Sequence, residues 1–493
     1  MTYRMSKHLK SSGTRFVLLV AFISSGCATA PAPTTAPATV SIDSDPTLAS
    51  RLDPILLAPG ATVSARIIEL PSRRELYARE GDRPMIPASN LKLVTTATAL
   101  DALGPDRTFP TRLALAGDDL YLIGSGDPGL GDSVIAGWAK LKPLDHFAPF
   151  AKALRDRGLT HLKGNLYYDD RAFDDQWILP AWSKSFREFW YGAPVAGLNF
   201  NDNCIDVTVH PTAPGELVTY DVLPPTGGIK IVNNCLTGDK QSPAIKRGSD
   251  PNEYILSGTC STPSELASKP VENPGYFTAD ALRTYLAAKG ITIDGQILRA
   301  PEKFSNQGQV IATTSSATMT TLINRLNKSS QNFFAEALAK QSGELYRQQH
   351  PNFTGTSWQS GNAAAALFLT RNHIANADVL RAVDGSGLAR ENRITAHMLT
   401  DLLAVMHAHP QAQAFRDSLP IAGVDGTLKK RLIDLKGKVQ AKTGSIGRVR
   451  ALSGYAITQD GRTLAFSLLC NDIQGDEETA VKRMDDAIRA LLK

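Results

Sequence analysis

A serine and a lysine three positions apart, heading an apolar run that no charge interrupts, constrain this chain more than any other feature. Pro87-Ala88-Ser89-Asn90-Leu91-Lys92-Leu93 leads directly into Val94-Thr95-Thr96-Ala97-Thr98-Ala99-Leu100. Such a run reads as a helix set in a dry surrounding, and residues three apart share one helix face, so Lys92 stands one turn beyond Ser89. A serine hydroxyl is a poor nucleophile at neutral pH and needs a base within hydrogen-bond reach. Desolvation disfavours an ammonium, so a lysine held there becomes partly neutral and able to take the serine proton. Ser-x-x-Lys does not recur in the chain. Alone it also fits a capping serine followed by a solvent-facing lysine, and it acquires weight only from what lies further along.

Two more short signatures follow, Ser330-Gln331-Asn332 and Lys442-Thr443-Gly444, in the order that a penicillin-recognising serine enzyme requires. Ser360-Gly361-Asn362 fits the middle pattern as well, but leads straight into an alanine-rich helix. Lys442-Thr443-Gly444, taken by itself, is a strand-end turn before Ser445-Ile446-Gly447. With the flanks Tyr191 to Val195, Asn327 to Glu336, Asp384 to Arg390 and Ala422 to Leu428, the three motifs make a chain that resembles the low-molecular-mass class C penicillin-binding proteins. These are D-alanyl-D-alanine carboxypeptidases and endopeptidases of bacterial peptidoglycan.

The resemblance implies roles residue by residue. Ser89 attacks the carbonyl between two D-alanines and forms an acyl-enzyme, and Lys92 takes its proton. Ser330 relays a proton to the leaving amine, while Asn332 bonds the peptide amide and Lys92. Lys442 supplies positive potential, and Thr443, beside Gly444, holds the terminal carboxylate. Backbone N–H groups of Ser89 and Ser445 form the oxyanion hole. Arg390 either grips an acid on the stem peptide or braces its loop. Two positions depart from the family pattern: Gln331 replaces a common aspartate, and Gly447 stands where a polar side chain is found. The implied partners are peptidoglycan peptides, with beta-lactams as covalent inhibitors and no cofactor. The rivals are a beta-lactamase-like hydrolase and a catalytically idle wall-binding protein.

The fold implied is α/β multidomain: a penicillin-binding transpeptidase (beta-lactamase-like) domain from 46–105 and 302–493, with an inserted αβ domain and a nested β domain. The chain itself supports the insertion. Ala153 to Leu166 and Leu286 to Ile297 repeat one pattern, a helical run ending at glycine, a hydrophobic residue and threonine, then a second glycine before a strand. Two such units suggest one αβ domain, 106–200 and 269–301, split by a β-rich insert at 201–268. Within 302–493, strands are expected at 438–442, 449–458 and 463–470, followed by an amphipathic helix from Glu477 to Leu492.

A net charge of +5 over 493 residues, without a basic block or interleaved aromatic stripe, argues against a nucleic-acid binder. No metal-ligand spacing links the nine histidines. Basic residues before the apolar run Phe16 to Ile23, then Gly26-Cys27, read as a bacterial export signal over 1–27 with lipidation at Cys27. Cleavage after Ala28-Thr29-Ala30 is the alternative. Residues 28–45, rich in Ala, Pro and Thr, read as a tether. The expected location is the periplasm, with a lipid anchor in the outer membrane. In that oxidising compartment Cys235 and Cys260, each beside a turn, are expected to pair, and Cys470 to stay a buried thiol.

Overall fold

The computed structural model describes residues 46–56, 60–301 and 308–493. Its organising element is a five-stranded antiparallel sheet in the order Val439–Ile446, Val449–Ile457, Thr463–Asn471, Thr62–Leu70, Arg74–Arg79. Thr62–Leu70 pairs with Thr463–Asn471 along its whole length, from Thr62 opposite Asn471 to Leu70 opposite Thr463. Its sequence alternates as a half-buried strand does, yet Ser64 to Ile68 are all buried. The reason is that successive side chains enter two different cores. Ile68, Ala451, Tyr455 and Leu469 pack with helices Leu91–Leu103, Asn332–Gln349 and Ala396–Ala408. Ile67, Leu452, Phe466 and Leu468 pack with Pro46–Leu56 and Glu477–Leu491. Each fully buried Leu, Ile or Phe contributes roughly 1.5–3 kcal/mol to holding these layers together. No helix among the described residues is long and apolar enough to cross a membrane.

A second five-stranded sheet runs Ile297–Arg299, Leu166–Asp169, Asp119–Ile123, Pro110–Ala116, Gln309–Ser315. The two sequence repeats meet in it and beside it. Their strands pair in parallel, Ile297–Arg299 on Leu166–Asp169 and Thr292–Ile293 on His161–Leu162, below helices Ala148–Arg155 and Pro274–Ala288. Gln309–Ser315 pairs with Pro110–Ala116, so this strand sits with the inserted sheet and not with the C-terminal segment that the sequence reading began at 302. The residues between the repeats form short strands around Cys204–His210, which bonds to Thr219–Leu223, Ser264–Glu265 and Lys269–Pro270.

The expected Cys235–Cys260 disulfide is absent, and Cys204, Cys235, Cys260 and Cys470 are all buried free thiols. Cys235 immediately precedes strand Leu236–Thr237, which pairs in parallel with Thr259–Cys260, so Cys260 lies opposite Thr237, two residues beyond Cys235, and its Sγ is 2.9 Å from Thr262 O. Cys27 lies outside the described residues.

Candidate active site

Ser89 occupies a 3-10 turn, Ala88–Asn90, that runs straight into helix Leu91–Leu103. Every residue from Leu91 to Leu100 is buried, so this helix is enclosed on all sides and its start is a fixed platform. Asn90 ties the turn to the central sheet by donating to Ser453 Oγ at 2.8 Å. Ala88 has φ +46°, a left-handed conformation that costs a residue with a side chain about 1–2 kcal/mol. Gly387 fits against it because it lacks a Cβ, which would lie 1.8 Å from Ala88 O.

Lys92 has no exposed surface. Its Nζ lies 3.0 Å from Ser89 Oγ, 2.7 Å from Asn332 Oδ1 and 2.8 Å from Ser386 O. A neutral amine can donate its two N–H bonds to Asn332 and Ser386 and aim its lone pair at the serine. Burial lowers the pKa of Lys92 to about 7, against the opposing pull of the Glu336 and Asp384 carboxylates.

The second motif bridges helices Met319–Lys328 and Asn332–Gln349. Ser330 sits at the bend with φ +56°, and Asn332 opens the second helix with its amide nitrogen donating to Tyr191 O at 3.0 Å. Gln331 points away from the serine and donates to Asp202 Oδ2 at 3.0 Å, so its departure from aspartate does not touch the reacting groups. The third motif lies within a strand rather than at its end. Val439–Ile446 pairs with Val449–Ile457 up to Ile446 opposite Val449, so the ladder carries Lys442-Thr443-Gly444 as regular strand. Lys442 is fully buried, and its Nζ donates to Ser330 Oγ at 2.8 Å and to Thr443 O at 2.9 Å. Burial and then the neighbouring Lys92 push its pKa well below the ordinary lysine value, so it is a readier proton donor than a fixed cation would be. The Thr443 hydroxyl lies 2.8 Å from that of Thr427. A Cβ on Gly444 would lie 2.9 Å from Pro87 O and 3.2 Å from Ser89 N, so glycine lets the strand press against the nucleophile turn.

These groups open onto one cleft of about 460 Å³, lined by Ser89, Ser330, Asn332, Ser445 and Arg390 together with the aromatic side chains Phe186, Trp190 and Tyr191. Arg390 is exposed there and donates to Gly447 O at 2.8 Å, with no carboxylate paired to it among the described residues. A smaller cavity of about 170 Å³ lies elsewhere, lined by Val63, Leu468 and Met484, and contains none of the motif residues. Phe186 and Trp190 were not foreseen, although the run Phe186 to Tyr191 holds four aromatic residues between the repeats. Ser360-Gly361-Asn362 lies inside helix Ser357–Arg371, where a Cβ on Gly361 would meet Ala339 O at 2.6 Å, and it serves helix packing.

A family model described as D-Ala-D-Ala carboxypeptidase 3 (S13) matches residues 48–492. The D-alanyl-D-alanine carboxypeptidase of Actinomadura sp. (strain R39) is 31% identical over 473 residues, covering 90% of this chain and 83% of that protein. The D-alanyl-D-alanine carboxypeptidase DacB of Haemophilus influenzae is 27% identical over 424 residues, 82% of this chain and 84% of its own. Among solved structures, penicillin binding protein 4 (dacB) from Haemophilus influenzae superposes with a TM-score of 0.72 at 24% identity, covering 90% of this chain and 98% of that one.

Proposed function

The chain belongs to the D-Ala-D-Ala carboxypeptidase 3 (S13) family and is a serine-type carboxypeptidase, and from that premise we propose how its residues divide the reaction. Neutral Lys92 takes the proton of Ser89 as Oγ attacks the carbonyl carbon of the penultimate D-alanine. The developing oxyanion is met by the backbone N–H groups of Ser89 and Ser445, and donors so placed typically lower a barrier by about 3 kcal/mol each. As the C–N bond breaks, the leaving D-alanine amine receives a proton from the Ser330 hydroxyl, which Lys442 replenishes. Lys92 hands the proton it took back to Lys442, and water then attacks the resulting serine ester with Lys92 again the base, its proton passing to Ser89 Oγ as the ester C–O bond breaks. The observation that carries this reading is the triple bonding of Lys92 Nζ to Ser89, Asn332 and Ser386 in a fully buried slot.

The substrate's terminal carboxylate is held by the Thr443 hydroxyl next to Lys442, and its charge compensates the two crowded lysines. Arg390, exposed on the cleft wall, takes an acidic group of the stem peptide. Beta-lactams acylate Ser89 in the same way, the ring amide standing in for the peptide bond. Both terminal D-alanine and D-alanyl cross-links fit this chemistry, so the enzyme acts as carboxypeptidase and endopeptidase. It works outside the cytoplasm, exported by residues 1–27 and anchored through lipidated Cys27. The inserted αβ domain, 106–200 with 269–301, carries the nested 201–268 and lends the cleft Phe186, Trp190 and Tyr191, and the catalytic domain joins 46–105 to the C-terminal segment. The test is intact-protein mass and peptide mapping after incubation with benzylpenicillin, with digestion of defined muropeptides, cross-linked and not. An adduct on Ser89 that Ser89→Ala abolishes is expected, and an adduct on any other residue overturns the assignment.

A further inference from the structure

Glu336 lies one turn beyond Asn332 on the same helix and has no exposed surface. Its Oε1 accepts from Ser386 N at 2.8 Å, and its Oε2 accepts from Gly385 N at 2.9 Å and from Trp358 Nε1 at 2.7 Å. Three N–H donors converge on two oxygens, an arrangement that suits a carboxylate and leaves a carboxylic O–H no acceptor. No Lys or Arg forms an ion pair with it among the described residues, so its charge acts on cations through space. The residue it grips is the one that matters for the base: Ser386 donates its N–H to Glu336 and, in the next peptide group, accepts Lys92 Nζ on its carbonyl. Asp384 and Thr95 hold the same loop beside it, Asp384 accepting from Gly387 N, Ala389 N, Asn392 and Trp182, and Thr95 donating to Gly385 O.

We propose that Glu336 is a positioning residue for the reaction, fixing the carbonyl against which Lys92 rests and governing by its charge how readily Lys92 gives up its proton. The inference rests on Lys92 being the base of acylation. The charged groups around the pair are few. Lys92 is faced by Glu336 and Asp384, which favour its ammonium, and by Lys442, which lies close enough to be perturbed by it. Burial and then the neighbouring Asp384 push the Glu336 pKa up, and the three N–H donors oppose the rise and hold the carboxylate. Beyond it lies Lys340, set 3.7 Å from the centre of the Trp358 ring and itself neighboured by Asp174 and Glu344. Glu336 is joined to Lys92 through the backbone of Ser386, and Asp384 through the Ser386–Gly387 peptide, whose N–H it accepts.

The sign follows from the charge. Removing a nearby anion disfavours the ammonium, lowers the pKa of Lys92 and extends acylation to more acidic pH. The experiment is the rate of Ser89 acylation by benzylpenicillin, followed by intact mass from pH 5 to 9, for the full chain, Glu336→Gln, Glu336→Asp and Lys92→Arg. Glu336→Gln is expected to move the acidic limb down by about one pH unit, with a lower plateau because an amide nitrogen now faces N–H donors. Glu336→Asp returns the limb to its original position, since the charge is restored, while the plateau stays reduced. A residue that merely props the loop would lower the plateau and leave the limb in place, and that result for Glu336→Gln overturns the proposal. Should Glu336→Gln not fold, Trp358→Phe removes one donor from the carboxylate and is expected to move the limb the same way by less; an unmoved limb there overturns it equally. Failure of the underlying base assignment shows separately, as rapid acylation of Lys92→Arg.

Discussion

Replacing Lys92 with arginine keeps a cation in the site and removes the base. With its pKa at about 7 instead of the ordinary 10.5, Lys92 presents a free amine in about half of the molecules at neutral pH. An unshifted lysine would do so in roughly one molecule in several thousand, so burial alone supplies a factor of about 10³ in available base. A guanidinium does not deprotonate in proteins, and general bases typically contribute 10²–10⁴-fold, so acylation of Lys92→Arg is expected to fall by about three orders of magnitude or more. The three atoms around Nζ are all able to accept, so a cation is tolerated electrostatically even where the longer side chain crowds the slot. Lys92→Met, of similar length and uncharged, controls for crowding and should be equally inactive. The assay is time-resolved intact mass with benzylpenicillin between pH 5 and 9, with circular dichroism to establish folding. The original enzyme should accelerate as pH rises through about 7, where the ammonium gives up its proton, and then level off. Acylation of Lys92→Arg within tenfold of the original rate, or an original rate that does not rise through that range, would refute the reasoning.

Gly387→Ala should destabilise the protein by about 2 kcal/mol or more in thermal or urea unfolding and cut acylation more than tenfold. The new methyl would enter the space of Ala88 O at a backbone φ of +86°, displacing the residue just before the nucleophile. Thr443→Val should weaken peptide turnover chiefly through KM, by about tenfold, because one hydrogen bond to a carboxylate is lost while Ser89 and Lys92 stay in place; an unchanged KM on a D-alanyl-D-alanine peptide would remove Thr443 from the carboxylate site. Cys27→Ala should release the protein from the outer-membrane fraction or block its processing, and a mature N-terminus beyond Ala30 without lipid would end that reading.

The three motifs were legible because acyl transfer demands particular residue types, and those survive as short strings whatever the fold does between them. Lys92 and Asn332 meet at 2.7 Å although 240 positions separate them, and only their shared place in a motif set foretold it. Glu336 stood in plain view beside Asn332, but its task depends on two backbone N–H groups in a distant loop, and backbone donors leave no mark on a sequence. Gln309–Ser315 was misplaced for a similar reason. An edge strand announces its own extension but not its partner, and the partner here is Pro110–Ala116 across the whole insertion. The cysteines failed at a finer scale: Cys260 lies in a strand and Cys235 just before the strand beside it, yet a two-residue offset in register is invisible before pairing is known. Burial of both faces of Thr62–Leu70 was hidden too, since serine and arginine at positions 64 and 66 look solvent-facing. Arg66 is instead bonded to Glu75, Thr400 and Asp401 inside the protein.

The pairing of Thr62–Leu70 with Thr463–Asn471 bears on when a growing polypeptide can become an enzyme. The turn holding Ser89 is synthesised early, but Val439–Ile446, which carries Lys442 and presses Gly444 against that turn, reaches Thr62–Leu70 only through the two strands that follow it. Contacts spanning nearly a whole chain form last and slowly, because loop closure must precede their reward. A nascent or prematurely ended product that stops before Thr463 therefore holds its nucleophile without a cleft. Hydrolytic competence arrives with the final strand, which couples activity to completion of the chain.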